Sequence, residues 1–300
     1  MTDARGSTWP TGETQLVAVI GDPVRQSLSP QLHNAAFAAL GMDWVYVALR
    51  TPPERAGEAI RGARALSVRG LSVTMPHKLI AAEIADRRSD EVELLGAANT
   101  LLLGEDIVAF STDGQGFLND LRLGLGVDPA GLRCVVIGAG GAGRAVVLAL
   151  AQSGAAEVLV VNRDRGRGES AALLAGSSGR VAELGEVASA DLVVNATPFG
   201  MVGAAASFEA SGRRPGSDEL LSTIHEGQVF YDLVYRPAET PLLRGAARRG
   251  LRARGGLGML VEQAALQFQL FTGREPPREV MWRAATAVGA EGLEPPACSL

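Results

Sequence analysis

The stretch from Cys134 to Ala151 constrains this chain more than any other. An apolar run, Cys134-Val135-Val136-Ile137, leads into Gly138-Ala139-Gly140-Gly141-Ala142-Gly143, and an Ala/Val/Leu-rich segment follows. Strand, glycine turn and helix in immediate succession form the context in which G-x-G-x-x-G works. The first glycine permits a tight turn and the second lets the backbone approach a pyrophosphate. The third lets helix and strand pack closely. The helix that follows offers unpaired N–H groups and the positive end of its dipole to phosphate. The spacing predicts a dinucleotide-binding unit.

The rest of the chain supports an α/β architecture. Downstream, strands are predicted at 132–137, 157–162, 191–195 and 228–234, with helices at 142–152, 165–175 and 240–249. Such alternation implies parallel βαβ units. Upstream, strands at 16–20, 44–49 and 70–74 alternate with helices that start near Ser29-Pro30, at 54–66, at 78–86 and at 90–95. Ser29 is the expected N-cap, with Pro30 at the first helical position. Residues 99–103 and 107–111 read as a hairpin around Gly104-Glu105-Asp106. The organisation expected is a first domain over 12–118, a dinucleotide domain over 128–252, and a helical segment over 257–285 that completes the first. A Gly/Ala/Ser-rich loop is expected at 202–218 and a disordered tail at 290–300.

The second strand of the dinucleotide unit ends in Asn162-Arg163-Asp164-Arg165. An NAD site usually has an acid here for the ribose 2′-hydroxyl, whereas a guanidinium suits a 2′-phosphate. Asn162 and Arg163 favour NADP. Asp164 stands against it if it faces the phosphate, and is neutral if it caps the next helix. Arg163 and Arg165 as plain surface residues is the alternative.

Composition narrows the functional classes. The chain has 300 residues, 47% hydrophobic and 20% charged, with net charge -5 and no basic stripe. That is enough for two cores and argues against nucleic acid. Residues 1–10 lack the apolar core of a signal peptide, and no apolar stretch reaches a membrane span. Two cysteines imply no disulfide framework, and a cytoplasmic setting is expected. Three scattered histidines without paired spacing predict no metal site. His77, after Pro76, is expected to be partly exposed rather than an acid catalyst. His33 reads as structural or surface, and His225 as part of a polar loop. Lys78 is the sole lysine among 28 basic residues. Lysine, unlike arginine, can be tuned by its surroundings to exchange a proton near neutral pH.

Four polar segments lie at predicted strand ends, where open α/β sheets place ligands. They are Ser27-Leu28-Ser29-Pro30, Ser72-Val73-Thr74-Met75-Pro76-His77-Lys78, Ala97-Ala98-Asn99-Thr100 and Ser111-Thr112-Asp113-Gly114. Their hydroxyls, amide, carboxylate and amine suit a small polyhydroxy acid. With the glycine turn, Asn195-Ala196-Thr197-Pro198, and Gly258-Met259 through Glu262-Gln263-Ala264, they resemble the shikimate dehydrogenase family from about Val17 to Thr272.

The resemblance implies a substrate domain and a Rossmann-type dinucleotide domain with a cleft between them. It implies NADP-dependent, reversible reduction of 3-dehydroshikimate, in aromatic amino-acid biosynthesis. Lys78 and Asp113 would be the catalytic pair. Ser27 and Ser29 would bind the substrate carboxylate, assisted by Tyr235, while Thr74, Asn99 and Gln263 would contact ring hydroxyls. Ser72 would also lie at the substrate. Gly138, Gly140, Gly141, Ala142, Gly143, Asn162, Arg163, Thr197, Gly256 and Met259 would hold the cofactor. The expected assembly is a monomer or homodimer. Two departures stand out: the family usually has Asn where this chain has Ser72 and Ser111. With Asp164, they keep open an NAD-dependent quinate/shikimate dehydrogenase. A non-catalytic NADP-binding regulator on the same fold is the reading of a different class, and the presence of both Lys78 and Asp113 argues against it.

Overall fold

The structure is a computed structural model that describes residues 9–201 and 217–289. The chain divides into two compact units. One contains the residues up to Thr112 and those from Val261 onward; the other is Asp113–Leu260. The sequence pattern alone puts the boundaries near 118, 128 and 252. The expected loop at 202–218 falls mostly outside the described residues, as do the 290–300 tail and Cys298.

The first unit begins with β1 (Gln15–Gly21), α1 (Ser29–Ala39), β2 (Trp44–Arg50), α2 (Ala56–Ala65), β3 (Gly70–Val73) and α3 (Lys78–Ile84). It continues with β4 (Arg87–Arg88), α4 (Asp90–Leu95), β5 (Thr100–Leu103) and β6 (Ile107–Phe110). The sheet order is β2-β1-β3-β5-β6-β4. β1 lies parallel between β2 and β3, and β5 returns antiparallel on β3 with Ser72 opposite Thr100. The β5–β6 hairpin is present as predicted. β1 is buried along most of its length, as expected of a strand paired on both sides.

Two local expectations are corrected. The residue before α1 is Leu28, not Ser29, and no side chain caps the helix. Ser29 already has helical backbone, and its N–H donates to the Ser27 hydroxyl at 3.3 Å. His77 is buried rather than partly exposed, and its Nε2 lies 2.8 Å from the Thr51 carbonyl oxygen.

The second unit contains α5 (Asp113–Leu125), β7 (Arg133–Ile137), α6 (Gly141–Gln152), β8 (Glu157–Val161), α7 (Arg165–Ala172), β9 (Gly179–Val181) and β10 (Leu192–Asn195). After the undescribed segment come α8 (Ser217–Thr223), β11 (Val229–Asp232), α9 (Pro241–Arg248) and β12 (Arg252–Gly255). All its strand pairs are parallel, in the order β12-β11-β10-β7-β8-β9. Alternate residues serve opposite faces of this sheet. Cys134, Val136, Val158 and Val160 join a core with Phe117 and Val146, while Val135, Leu159, Val193 and Phe230 join a second with Leu242 and Ala246. Burial on both faces explains why these strands read as continuous apolar runs.

α10 (Leu257–Thr272) spans the second junction, and α11 (Arg278–Gly289) follows it. From Val261 on, both belong to the first unit, where α11 lies against α1. On the sheet, Gly70 makes room for Phe271: a Cβ there would come within 2.5 Å of the ring. Beside it, His33 stacks on Tyr46 with centroids 4.3 Å apart.

Candidate functional site

In the second unit the glycine turn joins β7 to α6, and each glycine meets a different demand. Gly138 has φ +108, and a Cβ there would lie 3.0 Å from the Ala196 carbonyl carbon. A Cβ on Gly143 would fall 2.1 Å from the Gly138 carbonyl oxygen, so helix and turn could not close. Around Gly140 a Cβ would meet nothing within 4 Å. That position opens onto free space, as approach of a pyrophosphate requires. Gly140 precedes the first turn of α6, which Gly141 and Ala142 begin.

The turn is fixed by its neighbours. Ala139 N–H donates to Asn162 Oδ1 at 3.1 Å, and Asn162 Nδ2 donates to the Asp164 carbonyl at 2.8 Å. Asp164 caps α7, accepting from Arg167 N–H at 3.1 Å. Of the two roles left open for this acid, the structure takes the cap. Arg163 is exposed at the end of β8. On the other side, Thr197 Oγ1 donates to Asn195 Oδ1 at 2.7 Å. Asn195 in turn donates to the buried Asp232, which also accepts from Thr240 at 2.6 Å. Burial pushes the Asp232 carboxyl above its usual range, against these hydrogen bonds. Gly256 is packed on the Leu233 carbonyl, and Met259, buried, belongs to the core with Tyr231. Tyr235 follows β11 half-buried, its phenol raised by burial. Asp113, the first residue of α5, is buried.

The first unit holds the other predicted residues. Ser27 and Ser29 are joined hydroxyl to hydroxyl at 3.2 Å. Thr74 occupies space that a Cβ on Gly21 would fill, its Cγ2 being 2.3 Å from that position. Lys78 opens α3 half-buried, and its carbonyl accepts from Ala98 N–H at 2.8 Å. Asn99 donates to Gln263 Oε1 at 3.0 Å and to Thr112 Oγ1 at 2.9 Å, and accepts from Thr112 N–H and Thr100 Oγ1. Ser72 is buried and donates to Gln267 Oε1 at 2.7 Å. Thus Asn99 and Gln263 are brought together as one polar group, and Ser27 and Ser29 as another. Lys78 lies in the first unit and Asp113 opens the second.

Sequence reading missed Gln267, and it quoted Thr112 within a segment without giving it a role. The signal for Gln267 was its place four residues after Gln263, on one face of a helix. It also missed the buried set Asp120, Tyr231 and Arg254, whose partners lie more than a hundred residues apart in sequence. Among the described residues no group of His, Cys, Asp or Glu could hold a metal ion.

With β7 as first strand, the sheet of the second unit has the order 3-2-1-4-5-6, and the glycine turn sits at the switch point between β7 and β10. This defines a dinucleotide-binding protein of the Rossmann class. Residues 19–101 match the family described as the shikimate dehydrogenase substrate binding domain, and 126–200 match shikimate / quinate 5-dehydrogenase. Residues 256–286 match the shikimate 5'-dehydrogenase C-terminal domain. The shikimate dehydrogenase (NADP(+)) of Geobacter metallireducens is 42% identical over 92% of this chain and 98% of its own length. That of Methanopyrus kandleri is 43% identical over 90% and 94%. The crystal structure of shikimate 5-dehydrogenase from Thermus thermophilus, in complex with NADP(H) and shikimate, has TM-score 0.80 and 37% identity, covering 91% of this chain and 99% of that one. The chain belongs to the shikimate dehydrogenase family.

Proposed function

We propose that this chain reduces 3-dehydroshikimate to shikimate with NADPH, reversibly. The observation that carries the reading is identity above 40% to relatives named shikimate dehydrogenase (NADP(+)) along nearly their whole length. The glycine turn, with Gly140 facing open space, fits a pyrophosphate, and Arg163 fits a 2′-phosphate without opposition from the capping Asp164. Gly138, Gly140, Gly141, Ala142, Gly143, Asn162, Arg163, Thr197, Gly256 and Met259 would hold the nucleotide. When bound, the nucleotide supplies the hydride.

The residues of the chain handle the substrate and its proton. Ser27 and Ser29, with Tyr235, take the carboxylate; Ser72, Thr74, Asn99 and Gln263 take the ring hydroxyls. Lys78 stabilises negative charge at the carbonyl oxygen and gives it a proton. Asp113 holds the lysine and orients the resulting hydroxyl. The substrate is a small polar acid, and no described helix is long and apolar enough to cross a membrane. We place the enzyme in the cytoplasm, acting as a monomer or homodimer.

The test is steady-state turnover with shikimate or quinate and NADP or NAD, for wild type, Lys78→Arg and Asp113→Asn. Shikimate with NADP should be the best pair. Lys78→Arg keeps charge but not proton exchange, so kcat should fall by about 10²-fold or more. Near-normal kcat in Lys78→Arg sinks the acid–base role. A preference for quinate and NAD would make Ser72 and Ser111 the residues to examine, and no turnover at all would leave a nucleotide-binding regulator.

A further inference from the structure

We propose that Gln267 is a positioning residue for substrate recognition, acting through Ser72 on one side and Asn99–Thr100 on the other. The inference rests on the function proposed above and extends it to a residue that the sequence motifs do not single out. Ser72 on β3 and Thr100 on β5 are opposed across two antiparallel strands, so both side chains point to one face of the sheet. The Gln267 amide, from α10, spans this pair. Its Oε1 accepts from Ser72 Oγ at 2.7 Å, and its Nε2 donates to Thr100 Oγ1 at 3.0 Å and to the Asn99 carbonyl at 3.2 Å. Both amide hydrogens are therefore used. Gln267 is 1% exposed, so these bonds are shielded from water.

The relay continues to the substrate residues. Thr100 Oγ1 donates to Asn99 Oδ1 at 2.8 Å, and Asn99 Nδ2 donates to Gln263 at 3.0 Å. Thr112 N–H donates to the same Oδ1 at 2.9 Å, so the Asn99 amide keeps one orientation and the relay through Thr100 sets where it stands. β3 ends at Val73, immediately before Thr74, and β5 begins immediately after Asn99. Gln267 thus fixes the spacing between the Thr74–Lys78 turn and Asn99. It also occupies the Ser72 hydroxyl donor, which leaves the substrate fewer donors on that side. A side chain of equal length without an amide would keep the core filled but no longer tie Ser72 to Thr100 and the Asn99 carbonyl.

The experiment compares wild type, Gln267→Met and Thr100→Val, with thermal unfolding alongside kinetics. Methionine keeps the volume and removes three hydrogen bonds; valine keeps the shape of threonine and removes the relay hydroxyl. Gln267→Met should raise KM for shikimate about tenfold while kcat and KM for NADP stay within about threefold. Thr100→Val should shift KM in the same direction, and the double variant should be less than additive. If Gln267→Met does not fold, Thr100→Val still decides. A lowered melting temperature with unchanged KM in the folded variants means an ordinary core role and overturns the inference. Equal loss in kcat and in both KM values does so too. A wild type that fails to oxidise shikimate overturns the proposed function and this extension with it; a normal wild type with silent variants overturns the extension alone.

Discussion

Replacing Arg254 by methionine should destabilise the second unit by leaving Asp120 without its counter-charge. Asp120 is 1% exposed and accepts two bonds from the Arg254 guanidinium, at 2.6 and 2.7 Å, and one from the Tyr231 hydroxyl at 2.5 Å. The site cannot relax easily. A Cβ on Gly258 would fall 1.8 Å from Asp120 Oδ1, and one on Gly124 would fall 2.1 Å from the guanidinium carbon of Arg254. Tyr231 remains a hydroxyl donor, since burial, then the Asp120 charge, raises its pKa well above the ordinary value. One neutral donor does not replace a bidentate cation. Breaking a buried pair from one side costs about 3–5 kcal/mol, and the 18% exposure of the Arg254 side chain argues for about 3. For a unit of this size that is a fall in Tm of about 6–12 °C. Removing both charges with Asp120→Asn in the Arg254→Met background should recover about half of the loss, because an amide needs no counter-charge. The assay is thermal unfolding at neutral pH by circular dichroism. A double variant no more stable than Arg254→Met would refute the reasoning.

Two further predictions concern the cofactor and an internal histidine. Arg163→Ala should raise KM for NADPH about tenfold and leave KM for NADH nearly unchanged, as expected for an exposed guanidinium on a 2′-phosphate; a wild type that prefers NADH would contradict it. His33 is fully buried with neither ring nitrogen hydrogen-bonded, and burial lowers its pKa from 6.5 to about 3, the Gln267 amide nearby opposing this. Below pH 6.5 the unfolded chain takes up a proton that the folded one refuses, so stability falls from about pH 6.5 towards pH 3 by up to about 1.4 kcal/mol per unit. His33→Leu should flatten the dependence of Tm on pH over that window, and parallel curves for the two proteins would show that His33 does not cause it.

What the sequence disclosed depended on how locally each feature is specified. The glycine turn, β7, α6 and β8 are a contiguous stretch in which propensity, periodicity and turn chemistry agree, and they stand close to where periodicity placed them. Helix α5 was invisible because Gly114, Gly116 and Gly124 each weaken a helix by about 1 kcal/mol. Two of these glycines answer tertiary demands: a Cβ at Gly114 would lie 2.9 Å from the Ala145 carbonyl oxygen in α6, and one at Gly124 would lie 2.1 Å from the guanidinium carbon of Arg254. The short strands β4 and β9 escaped detection since two or three residues carry no measurable period, and β12 because Arg252-Ala253-Arg254-Gly255 holds no apolar run. The helix expected at 165–175 stops at Ala172 and continues as a 3₁₀ turn containing Gly176 at φ +56. In the site, residues in short motifs were readable, but Gln267 and Asp120 were not. Their roles come from partners that only folding brings near.

Lys78 has a practical consequence. The chain carries one side-chain amine, half-buried at the head of α3. Reagents that acylate amines, and peptidases that cut after lysine alone, therefore have one internal address. Digestion at lysine divides the chain into two pieces, the break falling between the Thr74 turn and the body of α3. Under the proposed function, added shikimate should slow acylation of Lys78, so the rate would report occupancy of a single position without any engineered label. Arginine, spread over every other cationic position, is blind to the same chemistry, so the surface charge of the protein survives the modification almost intact.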